Sequence, residues 1–371
     1  MDAMGIIFSN VHDSSMGELT GHRTSAAIPF AGRYRQIDFA LSNMSHANIK
    51  NIGIITKYNY ESLMNHIGSC AEWDLIMEED GVVLLPPYAT GHTGVYRGKL
   101  EALYTALAVL EHGRQDYVVL TDTTVLAAVD YAEAVKKHIA SGCDISVIGY
   151  TGVADGKRIN GLSGLADENG RPKVMAVDYA SPADYSVSMG MFIISREKLI
   201  QVIREYVPQG KYHLERDYIL AGFNAGTVSV NIIEFEGIAL FSESLQEYYD
   251  CSMKLLQKEV RQGLFHSKVP IYTKPRNEVP TRYGKEAKVL NTLAADGSLL
   301  EGFCENSILF RDVKLEEGSV VQNCVIMQGS RVGVGAQLQY VVLDKDVSVK
   351  PYTRLVGTPE HPLYIKKGAT V

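Results

Sequence analysis

The residues best placed to do chemistry lie between Met4 and Asn43. There an apolar strand, Gly5-Ile6-Ile7-Phe8, runs into a polar loop from Ser9 to Ser15, and then into Ile28-Pro29-Phe30 and Tyr34-Arg35-Gln36-Ile37-Asp38-Phe39. A strand that ends in a loop is where a parallel α/β sheet presents ligand-binding backbone, and backbone N–H groups there suit a phosphate. Glycine permits that close approach, because a Cβ disfavours positive φ and holds the backbone away from the anion. No glycine stands between Ser9 and Ser15. The segment therefore reads as an ordinary polar loop at a position where a phosphate cradle would be expected.

Positioning such a loop requires a parallel sheet, and the chain supplies one. Gly5–Phe8, Ile52-Gly53-Ile54-Ile55, Tyr117-Val118-Val119-Leu120 and Asp144-Ile145-Ser146-Val147-Ile148 are apolar runs suited to strands, while Lys99 to Glu111 and Tyr131 to Ala140 carry apolar residues at helical spacing. The alternation predicts a three-layer α/β domain, Rossmann-like, with a mainly parallel sheet over residues 1–263. One helix is expected from Gln246 to about Gly263, and a Pro-containing connection opening at Tyr272-Thr273-Lys274-Pro275 makes 264–288 a linker. Over 289–371 the texture changes. Val320, Ile326, Val332 and Leu338 recur at steps of six, with Gly318-Ser319, Gly329-Ser330 and Gly335-Ala336 as small corner residues, and the phase slips near Asp344. A six-residue period is the signature of a left-handed parallel β-helix.

With 371 residues, 46% of them hydrophobic and 21% charged, the chain can bury a sizeable core. Its formal net charge of -7 provides no basic field for nucleic acid, and no apolar run is long enough to span a bilayer. Cys70, Cys143, Cys251, Cys304 and Cys324 show no paired metal-ligand spacing and follow no secretory leader, so they are expected as reduced cytoplasmic thiols. Cys304 and Cys324 read as small apolar fillers of the solenoid.

Ala27-Ile28-Pro29-Phe30-Ala31-Gly32-Arg33-Tyr34-Arg35-Gln36-Ile37-Asp38-Phe39-Ala40-Leu41-Ser42-Asn43 closely resembles the ADP-glucose pyrophosphorylases (glucose-1-phosphate adenylyltransferases). The resemblance continues through His66-Ile67-Gly68 with Trp73-Asp74-Leu75, Leu84-Leu85-Pro86-Pro87-Tyr88, Tyr96-Arg97-Gly98 and Ser188-Met189-Gly190-Met191, and covers nearly the whole chain. It implies a nucleotidyltransferase domain followed by a β-helix. The departures fall where that family does its chemistry. Its Gly-Gly-x-Gly-x-Arg loop matches Ser9, Asn10, His12 and Ser14; its Arg-Ala-Lys-Pro keeps Arg23 but has Ser25 for lysine; its two metal-binding aspartates fall on Thr124 and Phe241. A sugar-phosphate Glu-Lys-Pro becomes Tyr179-Ala180-Ser181-Pro182, and an adenine-side glutamine becomes Lys57.

The reaction needs Mg2+ and cationic side chains to offset charge on two oxyanionic substrates. With both carboxylates and two cations missing, the resemblance implies a non-catalytic regulatory subunit that binds no metal itself. It would assemble as a heterotetramer with a catalytic ADP-glucose pyrophosphorylase subunit, where Mg2+ is expected. The alternative is an active sugar-phosphate nucleotidyltransferase with Asp122, Asp130 or Glu243 as substitute ligands. Arg33 falls where active relatives use a basic residue for a phosphorylated activator, so Arg33 and Arg35 are the expected sugar-phosphate or anion-binding residues; a surface ion pair or subunit contact is the competing role for Arg33. His66 and Trp73 are expected to shape a loop beside the nucleotide cleft, and Asp38 to cap or pair locally. A β-helix acyltransferase would need a general-base histidine on the solenoid, but His361 lies beyond the regular coils.

Overall fold

The computed structural model describes residues 2–11, 13–78, 81–86, 96–152 and 161–371. Of the residues singled out above, His12, Pro87 and Tyr88 lie outside these. The strand Ala3–Phe8 is buried along its whole length, Ile7 in one core with Leu41, Met44 and Val135, and Met4, Ile6 and Phe8 in another with Leu103, Leu110 and Ile203. Apolar residues on both faces force helices onto both sides, and this is the three-layer arrangement the alternation predicts.

Ala3–Phe8 pairs in parallel with Ile52–Ile55 and Tyr117–Asp122, and Ile52–Ile55 with Val82–Leu85. Beyond Tyr117–Asp122 comes Ser186–Ser195, antiparallel to it and to Ile145–Tyr150, with Val230–Glu234 parallel on the far side. The hairpin of Leu162–Ala166 and Pro172–Val177 completes a nine-stranded, mainly parallel sheet in which Ser186–Ser195 and Pro172–Val177 run against the rest. The helical pattern from Lys99 is realised as two helices, Lys99–Thr105 and Leu107–His112. The helix expected from Gln246 to Gly263 is likewise two, Leu245–Lys254 and Lys258–Phe265. The first closes in tight turns from Ser252, Met253 and Lys254 carbonyls to the N–H groups of Leu255, Leu256 and Gln257.

The C-terminal region is a left-handed parallel β-helix of three five-stranded sheets. Its first paired strand, Arg282–Tyr283, falls inside the stretch expected as linker. The middle turns take 17 residues, as from Leu315 to Val332 or Val321 to Leu338, so the inward steps there are six, five and six rather than a uniform six, while the turn from Leu299 to Lys314 takes 15. Val321, not Val320, therefore points inward, alongside Leu315, Ile326, Val332 and Leu338. The corners are columns of left-handed residues: Gly318, Gly335 and Tyr352; Gly297, Asp312, Gly329 and Asp346; Asn291, Asn306, Asn323 and Tyr340. One solenoid face packs on the first domain, where Ile308, Phe310, Val325 and Met327 join Leu19, Phe30, Tyr248 and Leu264 in one apolar cluster. Arg23 crosses the same junction in a buried bidentate pair with Asp344, at 2.7 and 3.0 Å.

Candidate functional site

The loop after the first strand is held by its own side chains. Ser9 Oγ donates to the Ile55 carbonyl at 2.8 Å, and Asn10 Oδ1 accepts the Lys57 N–H at 2.9 Å. Ser25, which replaces the expected lysine, donates its hydroxyl to the Ser9 carbonyl at 3.0 Å, fastening the second loop to the first. Asp13 lies between them, buried. Its carboxylate accepts the Ser25 backbone N–H at 2.9 Å and the Asn10 side-chain amide, and burial raises its pKa against these hydrogen bonds and the nearby Lys57 charge.

Thr124 and Phe241, distant in sequence, meet in space. Leu240–Phe241 pairs antiparallel with Val125–Leu126, setting Phe241 opposite Val125, and the Ser242 N–H donates to the Thr124 carbonyl at 2.9 Å. Neither side chain carries a carboxylate. Phe241 is packed in the core with its ring 6.2 Å from that of Tyr150, and the buried Thr124 hydroxyl has no hydrogen-bond partner among the described residues. Of the substitute ligands, Asp130 is an N-cap, accepting the Glu133 N–H at 3.0 Å at the start of the helix Tyr131–Ser141. Asp122 and Glu243 do reach a common cleft of about 370 Å3, bordered also by Ser14, Ser15, Lys99 and Glu215. There the Asp122 carboxylate is held by the Lys99 ammonium at 2.8 Å. Among the described residues no three His, Cys, Asp or Glu side chains converge as a metal site. Mg2+ takes charged oxygen ligands, and here the carboxylates of Asp122 and Glu215 that could offer them are engaged by the Lys99 ammonium, so this donor set does not fit it.

An adjoining cavity of about 210 Å3, lined by Phe8, Asn10, Ile55, Lys57, Tyr96 and Lys99, continues the cleft toward the Lys57 side.

A second site lies where the first domain meets the solenoid. Arg33, Arg35, Lys274, Arg276, Arg311 and Lys345 border a pocket of about 110 Å3 with no carboxylate in its lining. Burial, then the neighbouring Arg35 and Arg23 charges, bring the Lys345 pKa down to about 7; burial likewise lowers Arg35 to about 10. The sequence pointed to Arg33 and Arg35 and missed the other four. Lys274 and Arg276 flank the proline of the connection, and Lys345 stands at the phase slip beside Asp344, which is the only signal either offered. His66 also borders this pocket, not the nucleotide cleft. It meets Asp38 at 2.5 Å and Trp73 edge-on, and burial lowers its pKa. Asp38 pairs locally, as expected, and accepts the Arg35 N–H at 2.9 Å. His361 sits in an exposed turn of the solenoid.

The nucleotidyl transferase family matches residues 14–223, starting just after the buried Asp13, and the GlmU-like C-terminal hexapeptide family matches 274–361. The chain is 33% identical over 365 residues to the glycogen biosynthesis protein GlgD of Bacillus subtilis (strain 168), covering 98% of this chain and 96% of that one. It is 33% identical over 369 residues to the protein of the same name from Geobacillus stearothermophilus, covering 98% and 96%. Against the glucose-1-phosphate adenylyltransferase of Bacillus thuringiensis (strain Al Hakam) it is 28% identical over 352 residues, covering 92% and 91%.

Proposed function

This chain belongs to the nucleotidyl transferase family, among the relatives of the GlgD glycogen biosynthesis proteins, and on that premise we propose that it is a non-catalytic regulatory subunit of glucose-1-phosphate adenylyltransferase. The observation that carries this reading is the meeting of Thr124 and Phe241 on paired strands with no carboxylate between them. Nucleotidyl transfer places metal and cationic groups against charge developing on phosphate oxygens, and each such contact is worth about 2–4 kcal/mol of barrier. With Ser14, Ser25, Thr124 and Phe241 at the family's working positions, four repairs in separate parts of the chain would be needed. The chain acts by assembling with the catalytic subunit that makes ADP-glucose and pyrophosphate from ATP and glucose 1-phosphate, and it holds no Mg2+ of its own. A cytoplasmic setting agrees with five buried cysteines, none of them in a disulfide, and no helix among the described residues is long and apolar enough to cross a membrane.

Assembly as a heterotetramer is supported by the solenoid's uncovered side, where Leu290 and Val356 are 53% and 49% exposed. Removing the solenoid would strip the apolar cluster beneath it, so point changes test the interface better than truncation. Co-purification with a catalytic subunit should give a complex with altered kinetics, and Leu290→Asp with Val356→Asp should release it. Failure of the unaltered chains to associate would reject the reading.

The basic pocket supports a second part of the proposal, that Arg33 and Arg35 help bind a sugar phosphate or similar anion. Six cations converging without a lining carboxylate favour that over a surface ion pair. Calorimetry with sugar phosphates on wild type and Arg33→Ala decides it: equal or absent binding in both would remove the site.

A further inference from the structure

We propose that the strand-end cleft is closed by a charge of the chain's own, Lys99 providing the fixed cation that a metal would otherwise bring. The inference rests on the non-catalytic reading above and says how the vacated chemistry is filled. Lys99 is the first residue of its helix and borders both cavities of the cleft. Its ammonium reaches the Asp122 carboxylate at 2.8 Å and also pairs with Glu215, while Phe8 and Phe192 lie beneath it with ring centroids 5.8 and 5.1 Å away.

Two glycines hold the arrangement. Gly190 sits at φ +69°, and a Cβ there would lie 2.4 Å from Asp122 Oδ2, so the carboxylate packs directly on backbone. A Cβ on Gly98 would lie 2.3 Å from the Tyr212 carbonyl, and the Leu100 N–H donates to that same carbonyl at 2.9 Å, so the start of the Lys99 helix is clamped to the segment carrying Glu215. Behind the loop, out of the cleft's lining, Asp13 occupies the Ser25 N–H at 2.9 Å, and its own carbonyl accepts Thr20 Oγ1 at 2.7 Å. Backbone N–H groups are the usual phosphate donors of such a loop, and here one of them is already taken by a carboxylate. An incoming divalent ion would have to displace Lys99 from Asp122.

Mn2+ titration followed by electron paramagnetic resonance tests this. Wild type should hold no ion at Asp122, Lys99→Ala should bind Mn2+ at least about tenfold more tightly, and Lys99→Ala with Asp122→Asn should lose the gain. Lys99→Met, which keeps an apolar stem over Phe8 and Phe192, serves if the alanine variant does not fold. Wild-type binding that Asp122→Asn abolishes, or a folded Lys99 variant with no gain, would overturn the proposal. Turnover measured on the same wild-type sample separates the two readings. Mn2+ bound at Asp122 without turnover removes the internal salt alone, whereas turnover removes the non-catalytic subunit.

Discussion

The strand-end cleft and the basic pocket both gather buried charge, and they handle it in opposite ways. In the cleft Lys99 is matched by Asp122 and Glu215, and its pKa rises. In the pocket Arg33, Arg35, Lys274, Arg276, Arg311 and Lys345 face one another with no lining carboxylate, and Lys345 is driven down to about 7. The sign of a buried lysine's shift thus reports whether the protein has supplied its partner. Where it has, nothing is left for a ligand anion or metal to neutralise. In the pocket Arg311 has Asp296 at 3.2 Å, and an anion is proposed to relieve the like charges that remain. The chain keeps the nucleotidyl transferase fold and combines a charge-matched cleft with a basic pocket.

The largest effect is expected where the two regions are tied together. Arg23 follows the cleft's loop and pairs with Asp344, the neighbour of Lys345. Asp344→Ala leaves a buried guanidinium unpaired and should cost about 3–5 kcal/mol in urea unfolding, whereas Arg23→Met with Asp344→Leu should recover most of it. A loss below about 1 kcal/mol in the single variant would show that the junction is wetter than the structure has it.

Next in size, Arg33→Ala should weaken sulfate or sugar-phosphate binding by about 1.5–3 kcal/mol, roughly ten- to a hundredfold, in calorimetry. A smaller, pH-dependent effect follows from Lys345. Only its protonated form attracts an anion, and the proton leaves near pH 7. Sulfate, whose charge is constant over this range, should therefore bind up to about tenfold more weakly at pH 8 than at pH 6. The same group acts on stability with the opposite sign. Its unfolded pKa is about 10.4, so between the two values the unfolded chain holds more protons, and this lysine favours folding increasingly as pH rises. A flat sulfate affinity from pH 6 to pH 8 would exclude Lys345 from the site. Smallest of all, Thr124→Asp alone should yield no turnover, since Phe241 and Lys99 still deny the metal its place; measurable ADP-glucose from that variant would show that the cleft needs only one repair.

Much of this was legible in the sequence because it depends on local pattern. The alternation of apolar strands and helical spacing fixed the layers, and the six-residue recurrence announced the solenoid. What sequence missed depends on close geometry between distant segments. The five-residue inward step was missed because Asn306 and Asn323 take left-handed corners that a search for glycine passes over. The losses at Ser25, Thr124 and Phe241 could be read from resemblance, but not that Asp13 would fill the loop or that Lys99 would reach Asp122. Each looks like an ordinary surface charge until the fold buries it. Asp130 shows the converse: a carboxylate that reads as a substitute ligand is used to cap a helix.

The most direct test of the central claim is turnover by the isolated wild-type chain with ATP, glucose 1-phosphate and Mg2+ at saturating concentrations. The internally balanced cleft predicts no detectable ADP-glucose until a catalytic subunit is added. A rate within about tenfold of the roughly 10 per second typical of enzymes would contradict it and place the metal on Asp122 or Glu243 after all.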